Sequence, residues 1–166
     1  TRLNALRSKY PDSSLTVEVM WWLGEYYHRH NDLNLARRYL SSLIQDFPKN
    51  NLIPDAYYFL GLTYLEESKY QEAVNNFQKV MEMGRSDLAG QAAITIADIY
   101  SREEKIDLAL LTYKEVIKDY ENLDNLVCPK LADLNLKIGN YDEALVYYHK
   151  SLEIVPVRQI ADIQFK

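Results

Sequence analysis

The sequence predicts an all-α solenoid, a stack of antiparallel helix pairs, and three observations lead to this fold class. Apolar residues recur at helical spacing, with Tyr57, Leu60, Gly61 and Tyr64 at i, i+3, i+4 and i+7. The same unit returns along the chain at intervals of 35 to 37 residues. Small residues stand at the same two places in every return. A period between about 20 and 50 residues indicates a solenoid of stacked units.

The segment from Tyr57 to Phe77 shows the unit most clearly. Its first helix carries the four residues above on one face, a polar break follows, and Tyr70, Ala73 and Phe77 form the face of a second helix. Glycine in a helix interior costs about 1 kcal/mol relative to alanine, so Gly61 needs a structural reason. We expect a helical hairpin in which the two helices approach closely at Gly61 and Ala73.

The small residues keep their register through four units. They are Gly24, Gly61, Ala97 and Ala132 on the first helices, and Ala36, Ala73, Ala109 and Ala144 on the second helices. We therefore predict one solenoid domain with repeats at 13–49, 50–86, 87–122 and 123–156.

The two ends of the chain are predicted as parts of further repeats. Tyr10–Pro11 stands 37 residues before Phe47–Pro48, so residues 1–12 are expected to form the second helix of a truncated repeat. Apolar residues at helical spacing in 157–166 are expected to open another helix. Cutting a solenoid exposes faces that a neighbouring repeat buries, so self-association is expected through the ends. The apolar residues concerned are Leu3, Leu6, Ile160 and Phe165.

The repeated pattern resembles the tetratricopeptide repeat, whose helix pair carries W-x2-L-G-x2-Y, a small alanine, an aromatic residue and a closing proline. The second unit matches with Tyr57, Leu60, Gly61, Tyr64, Ala73 and Phe77, and the first with Leu23, Gly24, Tyr27, Ala36 and Pro48. Later units depart from the pattern, with Cys128 in the tryptophan position of the fourth. The resemblance implies a right-handed superhelix that acts as a protein–protein interaction scaffold.

The turns between the early units are similar to a bacterial subgroup of this family. Tyr10–Pro11–Asp12–Ser13–Ser14 and Phe47–Pro48–Lys49–Asn50–Asn51 both place an aromatic–proline pair before polar turn formers. Together with Trp22–Leu23–Gly24–Glu25, they resemble the repeat domains of the periplasmic Tol–Pal coordinator and of outer-membrane assembly lipoproteins. This resemblance implies a cell-envelope scaffold and favours a periplasmic or envelope-associated location over a cytoplasmic one.

Catalysis, metal binding and nucleic-acid binding are all disfavoured by the composition and motifs. His28 and His30 point about 200° apart on a helix and cannot chelate one metal. There is no His-Glu-x-x-His pair, glycine-rich phosphate loop or Gly-x-Ser-x-Gly elbow. A net charge of −5 and a pI near 5.2 argue against an RNA-binding helical repeat. We therefore predict no enzyme, no cofactor and no nucleic-acid partner. We also predict no membrane span, because the sequence has no run of 18 apolar residues.

The expected working surface is the concave groove, which the first helix of each pair lines in this family. Aromatic and aliphatic side chains alternate there with carboxylates, so we expect a protein or peptide partner that is apolar with basic flanks. Aromatic residues are favoured as anchors, and an exposed Trp21 is expected to be one. The predicted groove residues are Trp21, Glu25, Tyr58, Leu62, Ile94, Asp98 and Asp133, with Leu126, Pro129 and Leu136 beside Asp133 in the fourth unit. The alternative is an architectural segment of a larger envelope complex whose working site lies elsewhere.

Overall fold

The computed structural model describes residues 14–84, 86–120 and 122–154, which form eight α-helices and no strand. The all-α class is confirmed. The predicted helices at 1–12 and 157–166, with Leu3, Leu6, Ile160 and Phe165, lie outside the described residues. The helices are α1 (Ser14–Arg29), α2 (Leu33–Asp46), α3 (Ile53–Glu66), α4 (Tyr70–Glu82), α5 (Asp87–Arg102), α6 (Ile106–Asp119), α7 (Asp124–Lys137) and α8 (Tyr141–Ile154).

The chain divides into two compact units, Thr1–Gly84 and Arg85–Lys166. In the first unit α1 packs on α2, α3 packs on α4, and α3 also contacts both α1 and α2. In the second unit α5 packs on α6, α7 packs on α8, and α6 contacts α7. Each unit therefore holds two helical hairpins that share an apolar interior.

The four turns inside the hairpins share one backbone geometry. A residue with positive φ follows the first helix of each pair: Asn31 (58°), Ser68 (59°), Glu104 (58°) and Gly139 (83°). The next residue donates its N–H group to the carbonyl five positions earlier, at 2.9 Å in all four turns. This is the Schellman arrangement, in which a left-handed residue lets the chain satisfy the last carbonyls of a helix. Every hairpin therefore reverses at the same register.

The close approach predicted at Gly61 is present, but a side chain rather than a backbone fills the space. A Cβ atom added to Gly61 would lie 2.8 Å from Cε1 of Phe77, and one added to Gly24 would lie 2.6 Å from Cδ2 of Leu40. Phe77 and Leu40 are fully buried and stand one helical turn after the small alanines of α4 and α2. Glycine on the first helix therefore makes room for a large side chain on the second.

The contact between the two hairpins of the first unit is partly ionic. The Arg37 guanidinium on α2 donates to the carboxylate of Glu67, which follows α3, and it also lies 5.6 Å from the ring centroid of Tyr64. Lys69 lies 3.0 Å from the same carboxylate. The pKa of Glu67 is lowered chiefly because it accepts the hydrogen bond from Arg37. The charged form of Glu67 is therefore the one that the folded state favours.

Candidate partner-binding surface

In the first unit, three aromatic rings form a row across α1 and α3. The Trp21 ring meets the Phe59 ring edge-on, with centroids 5.1 Å apart and planes at 89°. Phe59 in turn lies 6.3 Å from Tyr58 at 74°. All three side chains are half-buried. The structure thus connects the predicted residues Trp21 and Tyr58 through Phe59, whose ring contacts both of theirs.

His28 also connects α1 and α3, and it does so at the middle ring of the row. Its ring lies edge-on to Phe59 at 5.5 Å, and its Nδ1 atom is 3.2 Å from the hydroxyl of Thr63. That hydroxyl donates to the carbonyl of Phe59 at 2.7 Å, so it accepts from His28. Nε2 of His28 faces Glu66 at 3.5 Å. Polar and aromatic contacts therefore fix the register of α1 against α3.

The remaining predicted residues of the first unit, Glu25 and Leu62, are half-buried on the same two helices. Glu25 accepts a hydrogen bond of 2.6 Å from Arg29, one turn later on α1. An exposed pair of this kind is worth only a few tenths of a kcal/mol, so Arg29 is easily displaced by a competing cation. Glu25 therefore stays accessible to a basic group on a partner.

The exposed indole of α1 is Trp22 rather than Trp21. Trp22 is 58% exposed and stacks on Tyr26 at 5.3 Å, and Tyr26 stacks on His30 at 3.9 Å. Successive helical residues point about 100° apart, so when Trp21 turns toward α3 its neighbour must turn away. The expected exposure of Trp21 is therefore wrong: the helix packing half-buries it and gives the exposure to Trp22.

In the second unit, the predicted residues Ile94 and Asp98 both lie on α5. Ile94 is buried, with 8% of its surface exposed, so it packs into the hairpin. Asp98 is half-buried, accepts a hydrogen bond from the Tyr113 hydroxyl and pairs with Nζ of Lys130 on α7 at 2.5 Å. The Asp98 carboxylate is thus largely committed within the unit. Tyr58 and Ile94 belong to different units, and their alignment along one groove stays a prediction.

Asp133 on α7 makes the same kind of hydrogen bond to a tyrosine in the fourth hairpin. It is exposed and accepts a hydrogen bond of 2.6 Å from the Tyr148 hydroxyl. Both tyrosines follow their aspartate by 15 residues, so each reaches across its own hairpin. Burial, and then the bond to Asp98, raises the pKa of Tyr113, while the bond to Asp133 raises that of Tyr148. Sequence reasoning assigned neither tyrosine to the site, although each lies 15 residues after its aspartate.

Two further findings concern only the described part of the chain. Its helices are each too short or too polar to cross a membrane. Within the same ranges, no three His, Cys, Asp or Glu side chains come together in a way that could hold a metal ion.

Two family profiles match the chain, both described as "Tetratricopeptide repeat". One matches residues 54–87 and 129–157, and the other matches residues 18–50, so together they account for more than half of the sequence. Response regulator aspartate phosphatase E of Bacillus subtilis (strain 168) is 36% identical over 76 residues. That match covers 45% of this chain and only 20% of that protein.

Several solved structures share the fold at low sequence identity. The crystal structure of MamA superposes with a TM-score of 0.72 at 20% identity, over 91% of this chain and 85% of that one. BtubC from P. vanneervenii gives 0.73 at 17% identity, over 92% and 68%. A tetratricopeptide repeat protein from Parabacteroides merdae ATCC 43184 gives 0.75 at 21%, over 86% and 55%. The repeat profiles and the shared helical-hairpin architecture lead to one conclusion: this chain belongs to the tetratricopeptide repeat family.

Proposed function

We propose that the protein is a non-catalytic scaffold that binds a protein or peptide partner on the surface of its first helices. Tetratricopeptide repeat proteins generally mediate protein–protein interactions, and the family is generally non-enzymatic. The proposed partner is apolar with basic flanks, and its binding needs no cofactor. The residues proposed for its binding are Trp21, Glu25, Tyr58 and Leu62 in the first unit and Asp98 and Asp133 in the second. Ile94 is left out because it is buried.

The observation that carries this proposal is the row of Trp21, Phe59 and Tyr58. Half-buried aromatic rings offer a large apolar area whose conformation is already fixed, so binding orders few additional side chains. The edge-on contacts between the rings hold each one in place before a partner arrives. Glu25 stands one turn after Trp21 and supplies a negative charge for a basic flank.

The test is affinity capture from the source cell with the wild-type protein and a Trp21→Ala/Tyr58→Ala variant. We expect the double variant to lose partners that the wild type retains. Because both side chains are half-buried, the variant must first keep its helical circular dichroism signal and a cooperative melt. Trp22→Ala is the matched control, since it removes the neighbouring indole, which is exposed and points about 100° away from Trp21 on α1.

Two results would overturn the proposal. The same partners on wild type and double variant would exclude the aromatic row as the binding surface. Loss of partners with Trp22→Ala alone would show that the binding site is the exposed stacked pair of Trp22 and Tyr26 instead. The purely architectural alternative has no comparable observation in its favour.

We extend the proposal to the cell envelope on the similarity of the turn at residues 47–51 to those of periplasmic scaffolds. The support is the aromatic–proline pair Phe47–Pro48 followed by polar turn formers. An envelope scaffold of this kind would present its first helices to partners in the same compartment.

A further inference from the structure

We propose that the outward face of α7 binds an amphipathic helix of a protein partner and that Asp133 selects a lysine or arginine in the middle of that helix. The proposal rests on the proposed function and adds the chemical class of the partner. The binding residues on α7 are Leu126, Pro129, Asp133 and Leu136.

The two sides of α7 are sharply divided between packing and exposure. Val127, Leu131 and Leu134 are buried within the second unit. On the other side Leu126 is 49% exposed and Leu136 is 48% exposed, with Pro129 half-buried between them. At about 100° per residue, these three and Asp133 fall within one narrow stripe. Leucines exposed at both ends of one stripe form a surface suited to a partner.

The charge of this stripe is negative and comes from Asp133. Its one hydrogen bond is from the neutral hydroxyl of Tyr148 at 2.6 Å, and no cation of the described residues pairs with it. Two neighbouring lysines of α7 lie beside other carboxylates: Lys130 pairs with Asp98 at 2.5 Å, and Lys137 lies 3.7 Å from Glu104. Tyr148 therefore orients the carboxylate without neutralising it. A partner's lysine or arginine would supply the missing charge.

The shape of the stripe favours a helix over an extended segment. Leu126 and Leu136 are ten residues apart on one helix, a span of about 15 Å. An extended chain laid over this span would gain no backbone hydrogen bonds from α7, because the backbone groups of α7 are used within the helix. A helix satisfies its backbone internally and packs its side-chain ridges between those of α7.

The positions on α7 also give the sequence pattern of the partner. Asp133 follows Leu126 by seven residues and precedes Leu136 by three. A partner helix packed antiparallel would match this with the pattern Leu-x2-Lys-x6-Leu, in which all three side chains share one face. In a parallel partner the order would be reversed. Both orders place a single basic residue between two apolar ones.

The experiment uses two synthetic helical peptides of about 18 residues, one with the Leu-x2-Lys-x6-Leu pattern and a twin with glutamate in place of lysine. Fluorescence anisotropy measures their binding to the wild-type chain and to an Asp133→Lys variant. We expect the wild type to prefer the lysine peptide by about threefold, and Asp133→Lys to reverse the preference. Leu126→Ser/Leu136→Ser should weaken binding of both peptides.

Glu143→Lys is the matched control, because it makes the same charge change at an exposed position of α8 outside the stripe. It should leave the preference for the lysine peptide unchanged. Equal binding of both peptides to the wild type, or no binding of either, would overturn this inference. The proposed function would still stand in that case if the Trp21→Ala/Tyr58→Ala variant lost its partners, so the two failures are distinguishable.

Discussion

Gly61→Ala should destabilise the protein although alanine is the better helix former. Gly61 is buried in α3, and an added Cβ would lie 2.8, 2.9 and 3.0 Å from three ring atoms of Phe77. Phe77 is fully buried and its ring meets Tyr58 at 5.5 Å, so it has little room to withdraw. Two opposing effects therefore act at this position.

Their magnitudes decide the sign. Replacing glycine in a helix interior gains about 1 kcal/mol from helix propensity. Forcing an extra methyl group into a packed core costs about 1–3 kcal/mol. We expect a net loss in the free energy of unfolding of about 0–2 kcal/mol. Removing the ring should remove the cost, so in a Phe77→Ala background the same Gly61→Ala change should stabilise by about 1 kcal/mol.

Urea denaturation of the four proteins in this double-mutant cycle measures both effects. Phe77→Ala alone should cost about 3–5 kcal/mol, because it leaves a cavity. Gly61→Ala should lower the free energy of unfolding when the Phe77 ring is present and raise it when the ring is absent. A gain of about 1 kcal/mol in both backgrounds would match propensity alone. That outcome would refute the conclusion that Phe77 occupies the space above Gly61.

Two further predictions concern the turns and the acid stability. Ser68→Gly should stabilise the protein by about 1 kcal/mol, because Ser68 holds a left-handed φ of 59°. Gly139→Ala should destabilise it by about the same amount, because Gly139 is also left-handed. Thermal melts measure both changes, and a loss of stability with Ser68→Gly would contradict the strain argument. Glu67 has a pKa below its ordinary 4.5, so its charged form adds stability above that value, and this contribution is lost as the pH falls through the folded-state pKa. Urea titrations at neutral pH and at about pH 3 should therefore show the advantage of wild type over Arg37→Met shrinking in acid, and a constant difference would exclude the ion pair as its source.

Much of the fold was readable from the sequence because it is encoded within single helices and repeated. The small residues at Gly24 and Gly61 identified the places where the hairpins close, and the added-Cβ distances confirm that these places are crowded. The left-handed turns were less readable. Gly139 and Asn31 are residue types that favour the left-handed conformation, while Ser68 and Glu104 adopt the same geometry without that preference.

The candidate site, like the fold, could be predicted from the sequence only in part. The sequence by itself determined the helix pairs, their period and the set of first-helix positions that form one stripe, because the 100° step per residue is a local property of the chain. Only the tertiary structure decided that Trp22 is exposed in place of Trp21 and that Ile94 is buried. It also decided that Asp98 pairs with Lys130, while Asp133 accepts only the hydrogen bond from Tyr148 among the described residues. These outcomes depend on residues 15 to 38 positions apart, whose distances are set by how the helices pack within a hairpin and between neighbouring hairpins.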